Sequence, residues 1–204
     1  AHVAVRAGAR VTVLHRGSRI LQGFDPELAA ALAERSRLAG IDIVLGADVQ
    51  RVAPNDQGGF EVTVSGEAGT RTVSAGLVVH GAGRVPDLDG LDLETGGVAR
   101  GRGGVTVTPR LQSVSNPRVY AAGDAADTGT AALTPVAGLE GKIVAANLLG
   151  GDVTLVAGQV PSVVFTIPPL ARVGLLEEDA RAQGHDVTVT HVDTAGWYSS
   201  RRLR

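Results

Sequence analysis

The chain has 204 residues, 44% of them hydrophobic, and a formal net charge of −2: enough apolar material for one large core or two small ones, and no bulk field to draw nucleic acid or an anionic membrane. It contains no cysteine, which excludes a dithiol centre, a thiolate nucleophile and a cysteine zinc site within it and fits a reducing, cytoplasmic setting. The histidines, His2, His15, His80, His185 and His191, show no ligand spacing, so no metal site is expected; no signal peptide is read, and the apolar runs fall short of the ~18 residues of a membrane span.

The opening AHVAVRA reads as the later turns of a helix that stops at Gly8. VTVL, running into His15, suits a buried parallel strand. Asp25-Pro26 predicts a helix start, with Asp as N-cap and Pro at the first helical position. Leu28, Leu32 and Leu38 are its expected buried face, and Gly40 its stop. IDIVLG is the next strand, so residues 1–46 read as α-β-α-β, half of a doubly wound unit. DVQRVAPN, GFEVTVS and TRTVSA alternate between Asn/Asp/Gly turns and predict an antiparallel meander.

LVVHGAG is expected to return to a buried strand ending in glycines. Residues 84–116 read as loop-rich around one strand, GGVTV. RVYAAGD predicts a small-residue buried strand running into a tight turn. Thr134-Pro135 opens a long helix through about Leu148, ended by Gly150-Gly151, and a Gly/Val linker follows. From Pro161 the pattern changes to strands SVVFT and ARVGL, a helix over EEDARAQ and a strand over DVTVTHVD, the start of a further α/β domain. Ala1 is not a start methionine, and WYSSRRLR stops without a finished element, so both ends read as cut.

Four segments are candidate chemistry. In a dinucleotide-binding fold the residue ending the second strand meets the adenosine ribose; an acid there suits NAD, and an arginine nearby suits the 2′-phosphate of NADP. Here the position carries His15 and Arg16, with Arg19 close by, a guanidinium geometry that matches phosphate; taken alone it reads rather as a solvated basic turn, because the glycine-rich phosphate loop that should precede the first helix is not in the chain. Gly81 and Gly83 in HGAGRVP permit a close backbone approach or simply a crossover loop. Asp124, after Gly123 at the end of VYAAG, can accept hydrogen bonds from a polyol or merely organise its turn. The helix start at Thr134 offers free N–H groups to a ligand, or is an ordinary capped helix.

Order and spacing join these signals. VTVLHRG, GAGRVPDLDGL, NPRVYAAGDAAD, LTPVAGLEGKIVAANLLG and PSVVFTIPPLARVGL together resemble the pyridine nucleotide–disulfide oxidoreductases, nearest the glutathione reductase and dihydrolipoamide dehydrogenase group. The resemblance implies an α/β flavoprotein with two Rossmann-like dinucleotide-binding domains and an α+β dimerisation domain. Residues 1–83 then correspond to the later part of the NAD(P) domain, 84–150 to the returning segment of the FAD domain, and 157–204 to the beginning of the dimerisation domain.

By the same resemblance Asp124, next to Gly123, meets the ribityl chain of FAD, and Leu133 and Thr134 face the isoalloxazine. Gly83 and Arg84 belong to the shared GAGRVP motif. Arg16, beside His15 and helped by Arg19, meets the 2′-phosphate, which favours NADPH over NADH. The implied activity is hydride transfer from NAD(P)H to FAD and then to a small-molecule or protein disulfide, in a homodimer. The family's FAD glycine motif, redox-active CxxxxC and nicotinamide-side GxGxxG would lie before Ala1, and its His-Pro…Glu pair after Arg204, so the 204 residues alone are expected to be inactive and to bind FAD poorly, and no catalytic residue is assigned. A non-catalytic nucleotide-binding or dimerisation module is the alternative; a fragment of an NADH oxidase or ferredoxin reductase is another, against which LTPVA and VVFTIPPLARVGL argue.

Overall fold

A computed structural model describes residues 1–67, 69–156 and 160–201. Residues 157–159, within the expected linker, and 202–204, closing the expected third segment, lie outside the described residues. The chain divides into two compact units: residues 1–53, 61–73 and 161–204 form the first, and residues 54–60 and 74–160 the second.

The first 46 residues follow the expected α-β-α-β order. Helix α1 spans His2–Arg6. Strand β1, Val11–Leu14, pairs in parallel with β2, Ile41–Val44, in the register Val11↔Ile41 to Leu14↔Val44. The crossover between them is α2, Pro26–Leu38. Its start is local chemistry: Pro26 needs no N–H partner, and the Asp25 carboxylate accepts from the Leu28 N–H at 3.0 Å. Gly40, at φ +91°, turns the chain out of the helix.

The buried face of α2 differs from the expected leucine stripe. Ala29, Leu32, Ala33 and Ser36 are buried, while Leu28 and Leu38 are exposed. The spacing 29, 32, 33, 36 is the helical period that lies against one neighbour. Leu28 and Leu38 fall outside that arc, and the small alanines permit the close approach that larger side chains would block.

Strands β3 (Asp48–Pro54), β4 (Phe60–Gly66) and β5 (Gly69–Ala75) pair in that order, as a meander requires. Asn55 shapes the β3–β4 turn, its side-chain oxygen accepting from the Gly59 N–H at 2.8 Å. Val62 and Val64 alternate inward on β4.

LVVHGAG does not become a buried strand. No strand pairs with it among the described residues, and Leu77 and Val79 are 76% and 83% exposed. An apolar run is buried only where another element covers it, and composition cannot supply that element.

In the second unit a 3-10 turn over Asp89–Leu91 precedes β6 (Arg100–Gly101), which pairs antiparallel with β7 (Gly104–Thr106). Strand β8 (Ala126–Asp127) pairs in parallel with β7. Leu88, Val98 and Val105 form a core, against which Val107, Val119 and Ala121 pack. RVYAAGD is extended but half-buried and not a regular strand: Tyr120 bridges Gln112, and the Ala121 N–H donates to Leu111 O at 3.0 Å. Gly123–Ala125 then forms a 3-10 turn.

Helix α3 spans Thr134–Leu148, with the expected bounds. Val136, Glu140, Ile143 and Asn147 make its buried face. The Asn147 side chain anchors the exit, donating to Arg110 O at 3.0 Å and Val153 O at 2.8 Å and accepting from the Val153 N–H at 2.8 Å.

The final segment holds an antiparallel pair, β9 (Ser162–Val164) and β10 (Leu170–Arg172), then α4 (Glu177–Ala182) and α5 (Tyr198–Arg201). The strand expected over DVTVTHVD is absent from these described residues, with Val189 and Val192 more than half exposed. Its period-2 alternation is there, but no strand edge pairs with it.

Candidate functional site

The expected site residues fall into two groups: His15, Arg16 and Arg19 in the first unit, and Gly83, Arg84, Gly123, Asp124, Leu133 and Thr134 in the second. Each group is built by its own local geometry.

In the second unit a pocket of about 230 Å³ opens between the 123–133 segment and the start of α3, with Gly123, Asp124, Leu133 and Glu140 in its wall. Asp124 is exposed, and its carboxylate has no hydrogen bond or ion pair among the described residues. Gly123 sits at φ +65°, and a Cβ there would lie 3.1 Å from the Ala137 Cβ. The glycine therefore lets the Asp124 turn rest directly on α3. Leu133 is the N-cap, extended at φ −131° and ψ 141°, with no side-chain cap bond, and Pro135 stands in the first turn. The first-turn N–H groups and the positive end of the helix are thus left to whatever occupies the pocket.

The wall carries Asp124, Asp127 and Glu140 and no lysine, arginine or histidine. That charge suits a neutral, hydroxyl-rich ligand and repels phosphate. Its volume is below the ~300–1,000 Å³ that encloses a drug-sized ligand, so by itself it cannot enclose one. Gly83, at φ +100°, and Arg84 are exposed and are not part of this wall.

Sequence reasoning passed over Glu140, Thr128 and Thr130. Glu140 is 1% exposed. Its Oε2 accepts from the Gly123 N–H at 2.6 Å, and its Oε1 from the hydroxyls of Thr128 at 3.1 Å and Thr130 at 3.0 Å. A signal was present: the spacing 136, 140, 143, 147 puts this one acid on the apolar stripe of α3.

In the first unit the strand end is pinned by backbone bonds. The His15 N–H donates to Val44 O at 2.9 Å, and His15 O accepts from the Ala47 N–H at 2.9 Å. Arg19 is committed to its own loop, its guanidinium donating to Phe24 O at 3.0 Å and Gln22 O at 3.1 Å and lying 3.9 Å from the Glu178 carboxylate. Arg16 is exposed and has no partner among the described residues, so its guanidinium is free for an external anion. Among the described residues no cluster of three or more His, Cys, Asp or Glu could hold a metal, and no helix is long and apolar enough to cross a membrane.

The model of the pyridine nucleotide-disulphide oxidoreductases matches residues 1–141. The chain belongs to this family. The family's dimerisation-domain model matches residues 160–202, in accord with a homodimer among its members. Pyridine nucleotide-disulphide oxidoreductases use FAD with NAD(P)H.

Among the relatives, a mercuric reductase of Staphylococcus aureus is 35% identical over 182 residues, covering 88% of this chain and 32% of that protein. A glutathione reductase of Burkholderia cepacia is 36% identical over 184 residues, covering 89% of this chain and 39% of that protein. The solved structure of the HOCl-induced flavoprotein disulfide reductase RclA from Escherichia coli superposes with a TM-score of 0.80 at 30% identity, over 98% of this chain and 45% of that one. The chain thus spans about a third to just under half of the length of these three proteins.

Proposed function

We propose that these residues form part of an FAD-dependent NAD(P)H:disulfide oxidoreductase. Residues 1–83 belong to its NAD(P) domain, 84–150 to its FAD domain and 157–204 to its dimerisation domain. The observation that carries the reading is the wall in the second unit, where an unpartnered Asp124 carboxylate stands beside the uncapped start of α3. These groups fit a flavin. Asp124 accepts from the ribityl hydroxyls, and the Leu133–Thr134 helix start presents N–H dipoles to the ring.

When bound, FAD supplies hydride and electron transfer between the nicotinamide and a disulfide. The protein's own part is to hold the sugar chain at Asp124, to keep the helix dipole aimed at the edge of the ring where negative charge develops, and to exclude water along the apolar side of α3. The acidic wall leaves the pyrophosphate to other groups. Gly83 and Arg84, in the shared GAGRVP segment, are proposed to border the bound nucleotide. Arg16, with His15 at the strand end and Arg19 holding the loop, selects NADPH over NADH through the 2′-phosphate. A small-molecule or protein disulfide as oxidant, a homodimeric assembly and a cytoplasmic setting complete the proposal. The 204 residues alone hold no cysteine, so no disulfide turnover is expected from them in isolation. That same lack favours, as a second reading, a nucleotide-binding module without catalysis.

The test is FAD retention in the full-length protein that carries these residues, because the 204 residues alone supply one side of the site and are expected to bind FAD poorly. Asp124→Ala is expected to weaken binding by ~1.5–3 kcal/mol, the range for a hydrogen bond to a charged group. Equal affinity in the variant refutes the assignment.

A further inference from the structure

We propose that Glu140 is the positioning residue of this flavin wall, fastening the turn that carries Asp124 to the helix whose start faces the ring. The proposal rests on the flavin reading of the pocket. Helix α3 buries two polar side chains, Glu140 and Asn147. Asn147 is explained by its bonds to the chain exit at Val153 and to Arg110. Glu140 bonds to nothing at that end.

Its three donors all come from one stretch, residues 123–130. Gly123, at the entrance, gives its N–H to Oε2 at 2.6 Å. Thr130, near the exit, gives its hydroxyl to Oε1 at 3.0 Å, with Thr128 at 3.1 Å. The two hydroxyls lie 2.7 Å apart, so either can turn its single proton to the other instead of to Oε1. One carboxylate thus holds both ends of the turn in whose first residues Asp124 stands. Glu140 also lies seven residues, two helical turns, beyond Leu133 and so on the same face of α3. The carboxylate fixes the distance between the acid for the ribityl chain and the dipole for the ring.

Packing alone does not account for an acid there. It has no cation partner among the described residues, and an apolar side chain of similar size would fill the space without desolvating a charge. What the acid provides is acceptors for three donors that all belong to a ligand-lining turn.

The distinction can be read from two substitutions. In Glu140→Gln the amide oxygen can take the Gly123 N–H, while the amide nitrogen donates to Thr128 and Thr130, whose hydroxyls accept as readily as they donate. Glu140→Leu fills the volume, leaves the Gly123 N–H without its acceptor and leaves the Thr128 and Thr130 hydroxyls only each other. In the 204-residue chain, Glu140→Leu is expected to move the amide signals of Gly123, Asp124 and Ala137 and to leave those of Arg100 and Gly101 in place; in the full-length protein it is expected to weaken FAD by about tenfold or more, a charged bond's worth. Glu140→Gln is expected to restore both the signals and the affinity.

Unmoved Gly123 and Asp124 signals in Glu140→Leu overturn the proposal. So does a failure of Glu140→Gln to restore them. If the full-length protein retains FAD equally in Glu140→Leu and wild type the flavin arm fails, and the amide signals of the 204-residue chain decide separately whether Glu140 places the turn. Should Glu140→Leu not fold, Thr130→Val removes one donor and keeps the bond to Gly123; signals at Asp124 unmoved by it overturn the proposal equally.

Discussion

Replacing Gly104 by alanine should be among the most damaging small changes in the second unit, because what it meets is backbone. Gly104 has φ +129°, and a Cβ there would run into the carbonyl oxygen of Ala125, with its carbonyl carbon at 2.8 Å and that of Ala126 at 3.1 Å. A side chain in that backbone region costs ~1–3 kcal/mol, and overpacking that only the main chain can relieve adds ~1–3 kcal/mol. We expect Gly104→Ala to destabilise the unit by about 2–6 kcal/mol on those two principles. Two neighbours serve as controls. Gly97 has φ +61° with nothing within 4 Å, so alanine there meets the left-handed strain alone, about 1 kcal/mol. At Gly103 the new methyl would meet the Asp127 carboxylate carbon at 2.7 Å, but that group is the end of a rotatable side chain and can swing aside, for roughly 1 kcal/mol or less. Native-state hydrogen exchange of the amides of Val105 and Ala126, with urea unfolding followed by circular dichroism, reads the three variants. Parity between Gly104→Ala and Gly97→Ala refutes the reasoning. Displacement of β8 from β7 also carries Asp124 with it, so the FAD response of Gly104→Ala should fall as well.

Two further outcomes follow from the first unit. Arg16→Glu should remove any preference of the chain for 2′,5′-ADP over 5′-AMP, a loss of about ten- to a hundredfold for one charge-assisted contact, measured by chemical-shift titration; an equal loss for both nucleotides means that Arg16 is structural. His2 is buried, and burial first, with nearby positive charge including Arg6 adding to it, holds its pKa below the ordinary 6.5. The Ser36 hydroxyl donates to Leu32 O at 2.7 Å, so His2 Nε2, 3.1 Å away, is the donor to Ser36 Oγ in the neutral ring. Because the unfolded chain binds the proton more readily, stability should be full above pH 6.5 and fall as pH drops from there toward the folded-state value. His2→Gln should flatten that slope in urea midpoints taken from pH 7.5 down to about 5.5, and an unaltered slope refutes the assignment.

Much of this protein is legible from its sequence where the deciding contacts are close in the chain. Asp25-Pro26 starts α2 because an N-cap and its N–H lie three residues apart, and Gly40 ends it by its own backbone freedom. Pro135 in the first turn and Gly150, at φ +89°, bound α3 by their own backbone preferences, although no side chain caps its start. The basic strand end at His15–Arg16 and the acid after VYAAG could likewise be singled out from residue type and place. The burial of LVVHGAG and DVTVTHVD could not, because an apolar or alternating run states only which surface would gain from being covered. The inward arc of α2 keeps Leu32 but takes Ala29, Ala33 and Ser36 in place of Leu28 and Leu38, a choice that depends on the neighbour it packs against. Glu140 shows the division most clearly. Its period on α3 marks it as inward-facing, yet its role depends on Gly123, Thr128 and Thr130, ten to seventeen residues away. Only the folded chain brings those donors to one carboxylate, because a buried acid is tolerable only where the tertiary structure has already assembled its partners.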